Sequence, residues 1–322
     1  MPSSDKVRWG ILGPGWIASR AVQDAGRATN FSVIAAGSRN LDRAQEFATR
    51  FGIPRAYGSY EALLADPAID AVYIAAPNSL HHPMTMTALA AGKHVLCEKP
   101  YSRHPELVIE AFDAAEAAGL LLMEAYMWRH WPQTRRFMEL LPEVGELSSI
   151  RATFSFVLAK TGDVRLDAAL EGGALMDVGC YGVSGSRLIA GAEPTRVFGE
   201  QTVGPSGVDE RFSGLLRFPS GLVAEIVADF RSEQRSLEAV GSEGTLLAHD
   251  PWLNQLGGIE LNGRAQPVDS DDAYRLEMEN LSAAILGRGK PLLGRVDALG
   301  QARTIDGLYR SAASGETVSL AG

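Results

Sequence analysis

An α/β architecture in two domains is predicted by three features of the chain. These are a glycine turn between an apolar strand and a helix near the start, short apolar runs alternating with amphipathic stretches up to about Tyr126, and a change to successive strands after Pro132. A length of 322 residues exceeds what one core usually organises, and a hydrophobic content of 46% fills two. The expected division is residues 1–124 for a parallel, doubly wound sheet and residues 125–322 for an α+β domain with a mostly antiparallel open sheet.

In the first domain, β-branched runs mark strands at Val7–Leu12, Ser32–Ala36, Arg55–Tyr57, Ala71–Ala75, His94–Cys97 and Leu120–Met123. Helices are expected between them at Trp16–Ala28, Leu41–Phe51, Ser59–Ala65, Leu80–Ala91 and Pro105–Ala118. Ser or Asn precedes several of the starts, and Gly52, Gly92 and Gly119 follow three of the ends. In the second domain, alternation gives strands at Ile150–Leu158, Arg211–Phe218, Leu222–Phe230 and Leu237–Val240. Helices are expected there at Ala174–Ala190, directly after Gly172-Gly173, and at Ala273–Leu286 and Val296–Ala312.

A net charge of −9 argues against nucleic acid or an anionic membrane as partner, since both select basic surfaces. The polar start Met1–Asp5 lacks an apolar stretch of signal-peptide length, and no run approaches the roughly 18 apolar residues of a membrane span. A cytoplasmic protein is expected. Cys97 and Cys180 stand alone in apolar segments, which points to reduced core thiols and to no metal site.

Gly13-Pro14-Gly15-Trp16-Ile17-Ala18 fits G-x-G-x-x-G/A and follows a strand, so the backbone can approach a pyrophosphate at a helix N-terminus. The bland alternative is a tight turn, but the repeated strand-helix units around it favour a Rossmann dinucleotide-binding domain. Gly13, Gly15, Trp16 and Ile17 are thus candidate cofactor contacts. The second strand ends on Gly37-Ser38-Arg39, with Arg43 one turn on, where an NAD-preferring fold would offer Asp or Glu. A hydroxyl and guanidinium groups suit a 2′-phosphate, so NADP is expected over NAD. No G-x-x-x-x-G-K-[ST] is present, which removes the P-loop class, and the missing acid argues less strongly against a methyltransferase.

Ligands in open α/β sheets sit outside the carboxyl ends of the strands, which here offer Pro77-Asn78-Ser79-Leu80-His81-His82 and Cys97-Glu98-Lys99-Pro100. Pro100 disfavours helical geometry at Lys99 and is open to a cis bond, so the ammonium can be held in a fixed direction. A lysine partly desolvated beside a cationic nicotinamide has its pKa lowered toward neutrality, which suits proton transfer during alcohol oxidation. The alternatives are an ion pair with Glu98, a helix cap at Asn78 and Ser79, and surface positions for the two histidines.

The chain resembles the Gfo/Idh/MocA oxidoreductase family through Gly10-Ile-Leu-Gly13-Pro-Gly15, Pro77-Asn78-Ser-Leu-His81 and Ala91-Gly-Lys-His-Val-Leu-Cys-Glu98-Lys99-Pro100. The likeness continues through Glu124-Ala-Tyr-Met-Trp128-Arg129-His-Trp-Pro132, Gly172-Gly-Ala-Leu-Met-Asp177-Val-Gly-Cys-Tyr181 and Gly241-Ser-Glu-Gly-Thr245. The resemblance implies NAD(P) on the first domain, a sugar or cyclic polyol as substrate, a catalytic Lys99, and homo-oligomer contact, dimeric or tetrameric, through the second domain's sheet. Many members carry His where this chain has Tyr181, a departure shared with relatives similar to glucose-fructose oxidoreductase and dimeric dihydrodiol dehydrogenase.

Spaced at i, i+4, Asp177 and Tyr181 share one helix face, and a phenol is normally protonated at neutral pH. Tyr181 then reads as the acid in reduction and the base in oxidation, with Asp177 orienting the hydroxyl. Arg165, Trp128 and Arg129 are further candidates for substrate or nicotinamide contact. The leading expectation is an NADP-dependent dehydrogenase for an aldose or related polyol. Keto-sugar reduction and a non-catalytic cofactor sensor are the alternatives.

Overall fold

The structure, a computed structural model, describes residues 5–159, 162–253 and 257–320. Most of the polar start, Met1–Ser4, lies outside them. The first strands and helices run β1 (Val7–Leu12), α1 (Trp16–Val22), β2 (Phe31–Gly37), α2 (Leu41–Phe51), β3 (Arg55–Tyr57), α3 (Tyr60–Leu64), β4 (Ala71–Ile74), α4 (Asn78–Ala90), β5 (His94–Glu98), α5 (Pro105–Ala117) and β6 (Leu122–Ala125). The chain continues through α6 (Pro132–Leu140), β7 (Leu147–Ser155), a π-helical turn at Leu175–Gly179, α7 (Cys180–Ala190), β8 (Arg196–Val203), β9 (Asp209–Arg217), β10 (Val223–Asp229), β11 (Gln234–Gly241) and β12 (Gly244–His249). It ends with β13 (Ile259–Leu261), β14 (Arg264–Gln266), α8 (Ala273–Ile285), α9 (Arg295–Ser314) and β15 (Val318–Ser319).

Two compact units result, one of residues 1–102, 106–130 and 272–298, the other of residues 103–105, 131–271 and 299–322. In the first, the described residues form a six-stranded sheet in the order β3-β2-β1-β4-β5-β6, with every pairing parallel. Its central strands read as apolar runs because both faces are covered: Ile11, Val72, Ile74, Val95 and Leu96 have no solvent exposure. The order reverses at β1 and β4, which places the ends of those two strands at the topological switch point.

Although α8 follows the second sheet in sequence, it belongs to the first unit. Trp9 on β1 is fully buried and donates its indole N–H to Ser282 Oγ of α8 at 3.0 Å, and Asn30 Nδ2 donates to the Glu279 carbonyl at 2.8 Å.

In the second unit, nine strands run in the order β14-β13-β12-β11-β7-β10-β9-β8-β15 among the described residues. All pairs are antiparallel except β7 with β10. Helix α7 lies against this sheet at its glycines: a Cβ on Gly182 would sit 3.2 Å from Ile226, and one on Gly185 would sit 3.0 Å from Trp252. Glycine costs a helix interior about 1 kcal/mol against alanine, which this close approach offsets.

Three expectations change. The helix read as Trp16–Ala28 stops at Val22 and gives way to a 3₁₀ turn at Ala25–Arg27, where Gly26 weakens helical continuation. The helix read as one α segment from Ala174 to Ala190 opens with a π turn, so Asp177 and Tyr181 are not separated by plain α-helical geometry. Helix α6 and strands β8 and β12 to β15 were not expected. Pro132 marks a first helical turn as readily as a boundary, and α6 buries Gln133, Thr134, Phe137 and Leu140 while its Arg135 and Arg136 mask the periodicity.

Candidate active site

Strand β1 delivers the chain into a turn that only glycine tolerates at its first position. Gly13 has φ +90°, and a Cβ there would lie 2.6 Å from the Ala75 carbonyl oxygen at the end of β4. Its N–H donates to Gly37 O at 3.2 Å, tying the turn to the end of β2. Gly15 is the N-cap of α1, and being glycine it leaves the first-turn amides without a side-chain cap. No acidic residue occupies that first turn. A bare, positively polarised helix start at the switch point, closed to side chains by the β4 backbone, fits the pyrophosphate of a dinucleotide. Trp16 stands at this turn with 69% of its surface exposed, and Ile17 is half-buried.

At the end of β2, Ser38 is buried, and its hydroxyl accepts the Asn40 N–H at 3.3 Å. Asn40 caps α2 by accepting the Arg43 N–H at 3.2 Å. Arg39 and Arg43 are both exposed, one just before the N-cap of α2 and the other in its first turn.

The ends of β4 and β5 are tied together. His81 is fully buried, with Nδ1 at 2.9 Å from Pro100 O and Nε2 at 2.8 Å from Ala76 O. Asn78 opens α4 behind the N-cap Pro77. Glu98 is buried and accepts on both carboxylate oxygens, from the Tyr73 hydroxyl on Oε1 and from the Lys99 N–H on Oε2 at 3.2 Å. Burial and the Glu98 charge push the Tyr73 phenol well up, so it stays a donor. Lys99, half-buried, precedes a cis peptide bond to Pro100. His82 sits to the side, 3.0 Å from the Tyr101 hydroxyl and 3.3 Å from Glu110.

Trp128 is buried, with the Arg129 guanidinium 5.8 Å from its ring centre, and Arg129 pairs with Asp297 at 3.3 Å. Both belong to the first unit.

The second unit brings together Arg165 and Asp177. Arg165 Nε donates to Asp177 Oδ2 at 2.6 Å, and its Nη1 donates to Asp163 Oδ1 at 3.1 Å. The same guanidinium lies 5.8 Å from the centre of the Phe156 ring. The charge of Asp177 is the main cause that raises the Arg165 pKa, which keeps the guanidinium charged. Tyr181 is buried against Phe154 at 5.3 Å and Trp252 at 5.9 Å between ring centres, and Trp252 is itself fixed by donating to Thr153 O at 2.8 Å. These edge-on and tilted contacts fix the direction of the phenol.

Sequence reasoning did not single out Tyr73 or Asp163. Tyr73 lies within an apolar strand and looks like core, while Asp163 is one acid among many in a loop. Its place two residues before Arg165, in Gly162-Asp-Val-Arg165-Leu-Asp167, carries the hint of it.

Residues 7–126 match the model of an oxidoreductase family with an NAD-binding Rossmann fold, and residues 142–247 match the GFO/IDH/MocA C-terminal domain. The chain is 40% identical to D-xylose 1-dehydrogenase (NADP(+)) 2 of Haloferax volcanii, over 98% of this chain and 100% of that protein. It is 35% identical to the mouse trans-1,2-dihydrobenzene-1,2-diol dehydrogenase over 76% of this chain and 75% of the relative. Among solved structures, the aldose-aldose oxidoreductase of Caulobacter crescentus, complexed with glycerol, superposes with a TM-score of 0.92 at 28% identity. That match covers 98% of this chain and 100% of the other.

Proposed function

We propose that this chain, which belongs to the Gfo/Idh/MocA oxidoreductase family, is an NADP-dependent enzyme that moves a hydride between nicotinamide and a hydroxyl-bearing carbon of a sugar or cyclic polyol. The observation that carries the reading is Lys99, held by Glu98 at the end of β5 in the sheet whose glycine turn offers a pyrophosphate site. An identity of 40% over nearly the whole length to a protein named as an NADP-dependent D-xylose dehydrogenase supports the substrate class.

Bound NADP supplies the hydride acceptor, or the donor in reverse. Gly13, Gly15 and the start of α1 hold its pyrophosphate, with Trp16 and Ile17 beside them. Ser38, Arg39 and Arg43 hold the 2′-phosphate. Pro77, Asn78, His81, Glu98, Trp128 and Arg129 complete the cofactor-binding set of this reading, with His81, Glu98 and Trp128 buried. Lys99 and Tyr181 hold and move the hydroxyl proton, and Asp177, held by Arg165, orients the hydroxyl. The reading extends to a cytoplasmic homo-oligomer joined through the nine-stranded sheet, on which Leu215 and Val203 are exposed apolar side chains. No helix of the described residues is long and apolar enough to cross a membrane, and no cluster of three or more His, Cys, Asp or Glu among them could hold a metal ion.

Incubation of the chain with NADP and a panel of aldoses, polyols and dihydrodiols, and with NADPH and keto-sugars, should change the nicotinamide absorbance with at least one of them. Tight NADP binding without turnover on the whole panel would make the chain a cofactor sensor and defeat the proposal. Arg39→Ala should raise the KM for NADP by about 10- to 100-fold and leave that for NAD unchanged, since a charge-assisted phosphate contact contributes about 1.5–3 kcal/mol. Equal KM values for NADP in the variant and the wild type would remove Arg39 from the site.

A further inference from the structure

We infer that Asp209, together with Tyr309, is a positioning residue for Asp177 and Tyr181, because its carboxylate grips the start of the helical segment that carries both. The inference rests on the roles proposed for those two residues. Asp209 is 3% exposed at the start of β9, and each of its oxygens has a partner. Oδ2 accepts the Leu175 N–H at 2.7 Å, and Oδ1 accepts the Tyr309 hydroxyl at 2.9 Å. Leu175 opens the π turn that contains Asp177, so the carboxylate caps that turn from a different strand.

The paired glycines before the turn have their explanation in this contact. A Cβ on Gly173, which sits at φ +122°, would collide with Asp209 Oδ1 and lie 3.2 Å from the Tyr309 hydroxyl. A Cβ on Gly172 would collide with the Arg165 carbonyl, which accepts the Gly173 N–H at 2.9 Å. The Asp177 N–H in turn donates to Gly173 O at 2.9 Å. Asp209 therefore fixes the short stretch that holds Asp177 from its backbone, while Arg165 holds the same aspartate by its side chain. Asp209 and Tyr309 thus act on the reacting hydroxyl only through Asp177 and Tyr181.

The grip titrates in a useful range. Burial pushes the Asp209 carboxyl up to about 6, against the opposing pull of the Leu175 N–H and the Tyr309 hydroxyl. The groups facing the pair are Arg103, whose guanidinium lies 5.2 Å from the Tyr309 ring centre, and Cys180 of α7. Arg103 is paired with Glu171 at 3.6 Å, and Glu171 also holds His104 at 3.1 Å. Because burial holds this pKa above that of a solvated carboxyl, any opening that solvates Asp209 becomes easier as pH rises through about 6 and the buried carboxyl loses its proton. Tyr309→Phe removes a hydrogen bond to the charged form, so it moves this transition to higher pH. Asp209→Asn removes it.

Amide hydrogen exchange of the segment 173–181, followed against pH without substrate, tests the anchor independently of turnover. In the wild type, protection corrected for intrinsic exchange should fall as pH rises through about 6. This transition should be absent in Asp209→Asn and shifted upward in Tyr309→Phe. On an active sugar, kcat should fall by about tenfold or more in Asp209→Asn with the KM for NADP unchanged, the split expected when a positioning contact is lost. Unaltered exchange and unaltered kcat in both folded variants would overturn the inference, and Tyr309→Phe decides it alone if Asp209→Asn does not fold. Altered exchange without turnover of any sugar by the wild type would instead overturn the proposed function and leave the anchor standing.

Discussion

Lys99→Met is expected to lower kcat by about 10²- to 10⁴-fold while NADP still binds, the loss that accompanies removal of a positioned proton-transfer group. Methionine keeps the length and the apolar stem, and the backbone it occupies stays clamped by Glu98, so the change falls on the ammonium. Tyr181→Phe is expected to fall within the same range. Phenylalanine retains the ring contacts to Phe154 and Trp252, which confines the substitution to one hydroxyl. Stopped-flow and steady-state turnover on an active sugar, with NADP affinity read from fluorescence, separate the two effects. Near wild-type kcat in both variants would sink the assignment of proton transfer.

Gly13→Ala is expected to destabilise the first unit by about 2–6 kcal/mol, the sum of an unfavourable positive φ and of overpacking against a backbone that cannot move aside. The obstructing atom is the Ala75 carbonyl oxygen, 2.6 Å from the added Cβ, and Ala75 is itself fixed by donating its N–H to Leu12 O at 2.9 Å. Relief requires the turn to swing away from β4, which spoils the pyrophosphate site as well. A drop in the urea midpoint of the first transition, with NADP affinity lost, is the expected result. An unchanged midpoint with NADP affinity intact would show that the turn has room to spare.

The first unit was legible almost strand by strand, because most of its strands are short apolar runs between helices, three of which are followed by Gly52, Gly92 and Gly119, and local signals decide parallel units of this kind. Val7–Leu12, Leu41–Phe51 and Arg55–Tyr57 match their expected bounds. Legibility failed where partners are distant in sequence. The indole of Trp9 selects Ser282, and Asp209 selects Tyr309 and Leu175, choices that no periodicity contains. The glycines of α7 were also opaque, since glycine argues against a helix until the sheet beneath it is known. At the site, Lys99, Asp177 and Tyr181 stood out by motif, with Glu98 and Arg165 beside them, while the groups that hold Glu98 and Arg165 did not. Tyr73 and Asp163 have ordinary surroundings in sequence, and only folding sets them against Glu98 and Arg165.

The most direct measurement of the central claim is the fate of a label. D-xylose and other aldoses carrying deuterium on the reacting carbon are incubated with the chain and NADP, and the reduced cofactor is analysed by mass and NMR. Direct hydride transfer predicts deuterium on the nicotinamide ring, with turnover slowed relative to the unlabelled sugar and abolished by Lys99→Met. Reduced cofactor without deuterium, or no reduced cofactor across the panel and no oxidation of NADPH by keto-sugars, would contradict it.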